Sequence, residues 1–146
     1  MAKAGAKNVD VFLSYSRVDQ DLVQQVANRL RKAELTVWDP ERDLLPGSEW
    51  ASELQAALES AKAMIVFISP EAVASREVSH EIGYALGARH LRGRLIPVIL
   101  REAQDAPWIL NSLQPIRYAD PRKTGNQILK VLTQPPHVPE VKRTAK

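Results

Sequence analysis

Short apolar runs alternate with stretches of helical periodicity along almost the whole chain, and that alternation leaves few folds open. Residues 9–13, 35–38, 63–68, 95–100 and 116–119 read as strands. The run Ala63–Ile68 is the most continuous, as expected of a central strand covered on both faces. Between them, Leu22, Val23, Val26, Ala27 and Leu30 fall on one helical face, with Asp19 or Asp21 as its cap, and Leu54, Ala57, Leu58 and Ala61 fall on another, with Ser48 as its cap and Trp50 in its first turn. A helix capped by Ser75 runs to about His90, and one with Pro121 in its first turn carries Ile128, Leu129 and Leu132. Strand–helix alternation implies a parallel sheet with right-handed crossovers. Five strands at this spacing predict an α/β, flavodoxin-like sheet, order 2-1-3-4-5, with helices on both faces. Residues 39–47 read as a polar loop and 102–114 as irregular.

At 146 residues the chain suits one domain with its own core. Residues 1–8 are expected to be a disordered head, 9–133 the domain, and 134–146 a proline-rich, disordered tail or a linker. No cysteine is present, which excludes disulfides and thiolate metal sites and fits a reducing compartment. No run reaches the roughly 20 apolar residues of a membrane span, and no signal peptide is evident. The net charge is +3, but Lys3 and Lys7 give the head +2, and Lys142, Arg143 and Lys146 against Glu140 give the tail +2. Residues 9–133 therefore carry −1, which argues against nucleic-acid binding by the folded body.

Candidate functional residues cluster where strands end, the rim on which open α/β sheets bind ligands. Glu81 lies about 60° from Val78 around its helix, on the border of the apolar stripe formed by Val78, Ile82, Ala85 and Leu86. It reads either as a solvated carboxylate paired with Arg89 or His80, or as a positioned acid. Ser14-Tyr15-Ser16-Arg17 ends the first strand and offers amides and a guanidinium to phosphates. Asp39, Glu41, Arg42 and Asp43 lie on a loop where Pro46 fixes φ and Gly47 permits a positive one, suited to covering a ligand or docking on a neighbouring subunit. Gly83 and Gly87, costly inside a helix, are expected to mark close packing against a strand. There is no Walker loop, dinucleotide fingerprint or nucleophile elbow, and His80, His90 and His137 lack metal-ligand spacing. Ser69-Pro70 stands where a phospho-receiver needs aspartate.

Asp10-Val11-Phe12-Leu13-Ser14-Tyr15-Ser16 resembles the first box of TIR (Toll/interleukin-1 receptor/resistance) domains, prokaryotic type, and Arg42-Asp43-Leu44-Leu45-Pro46-Gly47 resembles the second, on the BB loop. Ala106-Pro107-Trp108 weakly echoes the third, and residues 75–86 resemble the helix that carries the catalytic glutamate in bacterial members. The resemblance implies an NAD+ nucleosidase that cleaves the nicotinamide–ribose bond, gives nicotinamide with ADP-ribose or a cyclic isomer, and serves cytoplasmic bacterial immune signalling. It makes NAD+ the substrate and requires no cofactor or metal. It gives Glu81 the catalytic place and assigns Tyr15, Ser16, Arg17, Asp39, Arg42, Asp43 and Ser75 to substrate binding. Leu44, Leu45, Pro46 and Gly47 would serve self-association with other TIR domains, with a fused or partner sensor domain upstream of activation. Many active members carry tryptophan where Glu77 stands, which implies a different hold on nicotinamide. Two other classes fit the same residues: a non-enzymatic interaction module acting through the BB loop, and an enzyme like the nucleoside deoxyribosyltransferases, whose glutamate is a covalent nucleophile.

Overall fold

The computed structural model describes residues 8–44, 47 and 49–135. The expected head apart from Asn8, the expected tail apart from Gln134 and Pro135, and Leu45, Pro46 and Ser48 lie outside the described residues. Strands β1 (Val11–Ser14), β2 (Val37–Trp38), β3 (Ala63–Ile68), β4 (Leu95–Ile99) and β5 (Ile116–Arg117) form one parallel sheet of order β2-β1-β3-β4-β5. Among the described residues the helices are α1 (Gln20–Lys32), α2 (Pro40–Asp43), α3 (Trp50–Ser60), α4 (Pro70–Ala74), α5 (Arg76–Gly87) and α6 (Pro121–Leu132).

Strand parity sorts the core into two layers. Met64, Val66 and Ile68 of β3 pack with Phe12, Leu58, Val78 and Ile82 on the face covered by α3 and α5. Ile65 and Phe67 pack with Val11, Leu13, Val26, Leu30 and Ile128 on the face covered by α1 and α6. Every residue of β3 is buried, the pattern of a strand covered on both sides. Phe67 and Ile65 are wholly inaccessible, and each contributes about 2 kcal/mol through burial.

Several elements depart from expectation. Residues 39–47 are not loop throughout. Asp39 accepts from the Glu41 N–H, Pro40 takes the first helical position, and together they start the short α2. Ser69 and Pro70 repeat that device: the serine ends β3 and also caps α4 through the Ala72 N–H at 3.1 Å. The segment expected to be irregular contains a 3-10 helix, Trp108–Leu113. The helix capped by Ser75 stops at Gly87, and a 3-10 turn, Arg89–Leu91, follows. Glu49 takes the cap position of α3, but its side chain makes no capping bond there. Asp19 takes the cap position of α1, as one of the two expected residues, but its carboxylate makes no capping bond there and accepts from Ser69 and Arg101 instead. Gly83 and Gly87 are exposed, and a Cβ at either would meet nothing within 4 Å, so close packing does not explain them.

Candidate active site

The helix bearing Glu81 starts where Ser75 accepts from the Val78 N–H at 3.2 Å, and its apolar stripe seats Val78, Ile82 and Ala85 against the sheet. That fixes the rotation of α5. Glu81 is not left on the border of the stripe, as the helical angle alone suggests. It is 5% exposed, and Ser14 Oγ at the end of β1 donates to its Oε1 at 2.7 Å. Neither His80 nor Arg89 is its partner. Burial raises the ionisation of this carboxyl from 4.5 to about 7, helped by the fields of Glu77 and Glu41 and opposed by the Ser14 hydrogen bond. The acid is thus poised to change charge near neutrality, a property concentrated at functional sites.

Strand parity places Ser14 there. Phe12 faces the α5 layer, so Ser14, two residues on, faces it too. Tyr15 turns to the other face, where its ring meets Phe67 edge-on at 6.4 Å and its hydroxyl donates to Asp39 Oδ1 at 2.6 Å. Asp39 is wholly buried. Its oxygens also accept from Gln24 Nε2 and the Glu41 N–H, and its own N–H donates to the Asp43 carboxylate at 2.7 Å. Burial, with the hydrogen bond to the Asp39 carboxylate and its negative field, pushes the Tyr15 phenol far above its ordinary ionisation, and burial raises Asp43. Tyr15, Asp39 and Asp43 therefore form a brace at the root of the loop, on the layer opposite Glu81. Arg17 is exposed and pairs with Glu41 at 3.0 Å, bridging the turn after β1 to α2. Ser16 is half-buried and Arg42 exposed; Ser75 is occupied as a helix cap and donates to Glu77 at 3.3 Å. Leu44 packs against the core, and Gly47 has φ +79°, the positive value its turn position requires.

Sequence reasoning gave no role to Gln24 or Arg101, read Ser14 only as part of the turn after β1 and Asp19 only as a helix cap, and did not join Asp19, Ser69 and Arg101 in one cluster. For Ser14 the signal was available in the alternation of β1. At the second cluster, Ser69 Oγ donates to Asp19 Oδ2 at 2.6 Å, and Arg101 links Asp19 at 2.9 Å with Glu71 at 2.7 Å. It ties the turn after β1 to the ends of β3 and β4. These residues are far apart in sequence, and no local pattern announces them.

The fold and this rim define a class: an open parallel α/β domain with a buried carboxylate beside the end of its first strand. The model of the TIR domain family matches residues 11–132, and the chain belongs to that family. A search of curated proteins found no match. Solved structures similar in fold include the TIR domain of the Toll-related receptor TRR-2 from Hydra magnipapillata, with TM-score 0.73 and 19% identity over 87% of this chain and 100% of that one. A TIR-STING receptor from C. gigas in complex with 2',3'-cGAMP gives 0.74 and 23%, covering 92% of this chain and 42% of the receptor. The TIR domains of the activated Roq1 resistosome give 0.66 and 17%, over 84% and 98%. Among the described residues no helix is long and apolar enough to cross a membrane.

Proposed function

We propose that this TIR domain is an NAD+ nucleosidase with Glu81 as its catalytic residue. The observation that carries the reading is the buried Glu81 carboxyl held by Ser14 at the C-terminal end of β1. NAD+ presents a cationic pyridinium attached to ribose. When the C1'–N bond breaks, its electron pair goes to the ring nitrogen and nicotinamide leaves neutral, so no acid need protonate it. The positive charge passes to the ribosyl carbon and ring oxygen. A carboxylate in a water-poor site stabilises that charge more than it stabilises the dispersed charge of the ground state. Water then adds to C1', releasing one proton and giving ADP-ribose; attack by a nucleophile of the adenine gives a cyclic isomer instead. The reaction needs Glu81 ionised, so its rate is expected to rise with pH through about 7, the ionisation of the resting site.

Ser16 and Arg17 at the turn after β1 would hold phosphate, with Arg17 exchanging Glu41 for the substrate. Arg42 and Ser75 stand as further binding residues, while Tyr15, Asp39 and Asp43 contribute by bracing the loop. Trp50, 58% exposed three residues after Gly47, favours self-association through this edge and activity that rises with protein concentration. Cytoplasmic defence signalling in a bacterium, triggered through a sensor domain, is the setting this activity fits. Chromatography of NAD+ incubated with concentrated protein tests the reading. Free nicotinamide from the parent and none from Glu81→Gln is the expected result. Equal NAD+ consumption by both proteins would refute the catalytic role, and intact NAD+ with both would leave an interaction module.

A further inference from the structure

Gly125 lies in the interior of α6, where glycine is less favourable than alanine by about 1 kcal/mol. It is buried, and a Cβ there would come within 2.6 Å of Arg29 Cγ and 2.9 Å of Arg29 Cβ. The bare position is thus the seat on which the stem of Arg29, from α1, lies. The next residue completes the seat: Arg29 Nε donates to Asn126 Oδ1 at 2.9 Å. Stem and Nε are both held, and the two terminal guanidinium nitrogens have no partner among the described residues. Arg29 lines an open surface groove of about 440 Å³ between α1 and α6, together with Gln25, Asn28, Lys32, Pro121 and Arg122.

The α1 residues of this lining recur at the spacing of one helical face. Lys32 and Arg122 are exposed, and neither has an ion-pair partner among the described residues. No carboxylate is among the described lining residues. The nearest in sequence, Asp120, is engaged as the cap of α6 through the Lys123 N–H at 2.8 Å. Three cations thus converge on one groove of a body whose net charge is −1.

We infer that this groove binds a small anion carrying two or more linked phosphates, of the nucleoside diphosphate class. A groove of this volume exceeds the needs of a single phosphate and lies in the range of small-molecule sites, roughly 300–1,000 Å³. The pre-oriented guanidinium fork matches phosphate oxygens, and Lys32 adds a point charge. The Gln25 amide offers a donor and an acceptor to hydroxyls or a base, and the Asn28 amide, whose oxygen accepts from Arg31 at 3.0 Å, offers its N–H groups. The cations do not extend into a stripe, which disfavours a nucleic-acid backbone. The site is independent of the proposed reaction, because α1 and α6 cover the face of the sheet opposite α5.

Calorimetric titration of the full chain with inorganic pyrophosphate, ADP and inorganic phosphate tests this. Pyrophosphate and ADP are expected to bind more tightly than phosphate and to weaken as salt rises. The double variant Lys32→Glu, Arg122→Glu, confirmed as folded by circular dichroism, is expected to lose at least about tenfold in pyrophosphate affinity. Gly125→Ala, which unseats Arg29, should lower that affinity as well, and Glu81→Gln should leave it unchanged. The inference is overturned by an absence of pyrophosphate binding at millimolar concentration, by equal affinity in the parent and the double variant, or by phosphate binding as tightly as pyrophosphate. Loss of binding in Glu81→Gln would also overturn it, by placing the anion on the other face, as would duplex nucleic acid bound where pyrophosphate is not.

Discussion

Replacing Glu81 by glutamine is expected to make the protein more stable while removing its proposed chemistry, and the gain should depend on pH. The Glu81 carboxyl ionises near 7 in the fold against 4.5 for an unburdened glutamate. A folded-state value raised in this way means that the fold holds the proton more tightly than the unfolded chain does. The group's favourable contribution is therefore present in full below about 4.5 and is lost as pH rises through 7. Once the carboxyl is charged in both states, the cost to the fold is roughly 3 kcal/mol. Glutamine stays neutral and keeps an oxygen to accept from Ser14, so Glu81→Gln escapes that cost. The difference between variant and parent should be small near pH 4.5 and grow to about 3 kcal/mol by pH 8, or about 10 °C in Tm for a domain of this size. Subtraction cancels titrations common to both proteins. Urea unfolding followed by tryptophan fluorescence measures it, since Trp38 is buried and stacked on Phe12 at 5.2 Å and changes environment on unfolding. A difference that stays flat from pH 4.5 to 8, or a variant less stable than the parent at pH 8, would refute the argument that burial strains this carboxylate.

Other perturbations separate the parts of the rim. Ser14→Ala removes the hydrogen bond that holds the Glu81 ionisation down, so the midpoint of the activity–pH profile should move upward, with a larger loss of NAD+ cleavage at pH 7 than at pH 8.5. Tyr15→Phe deprives the buried Asp39 of a donor and should cost about 1–3 kcal/mol in urea unfolding, without moving that midpoint. Arg101→Ala leaves the buried Asp19 with Ser69 alone and should cost about 2 kcal/mol, whereas Glu71→Ala, at an exposed partner, should leave the urea midpoint nearly unchanged.

The legible parts of this chain are those whose physics is local. β3 is a six-residue apolar run and was readable residue for residue as Ala63–Ile68. Ser75 was readable as a cap because its hydroxyl needs only an amide three residues ahead. Sheet order followed from the alternation of elements and the handedness of their connections. Asp39-Pro40 was harder, since a proline beside polar residues signals a loop and a helix start alike. The burial of Glu81 was hidden for another reason. Periodicity gives an angle around α5 but not the height of the neighbouring strand end, and it is the end of β1 that closes over the carboxyl. The partners of Asp19 stand 50 and 82 residues away in sequence, and only the folded sheet brings them together.

The division of labour in β1 follows from pleating alone. Ser14 and Tyr15 are adjacent, yet one engages the proposed catalytic carboxyl on the α5 layer while the other anchors Asp39 on the α1 layer. A strand alternates its side chains, so two consecutive residues at its end reach two different layers of the domain. A slip of one residue in the pairing of β1 would exchange those tasks and bring an aromatic ring to the place of the hydroxyl. The register of β1 against β3, with Val11 opposite Ala63 and Ser14 opposite Val66, is therefore a condition for the site as well as for the core. Val11, Phe12 and Leu13 are wholly buried on alternating faces, so a slip would move apolar side chains into the wrong layers, and the core enforces the alignment that the carboxylate needs.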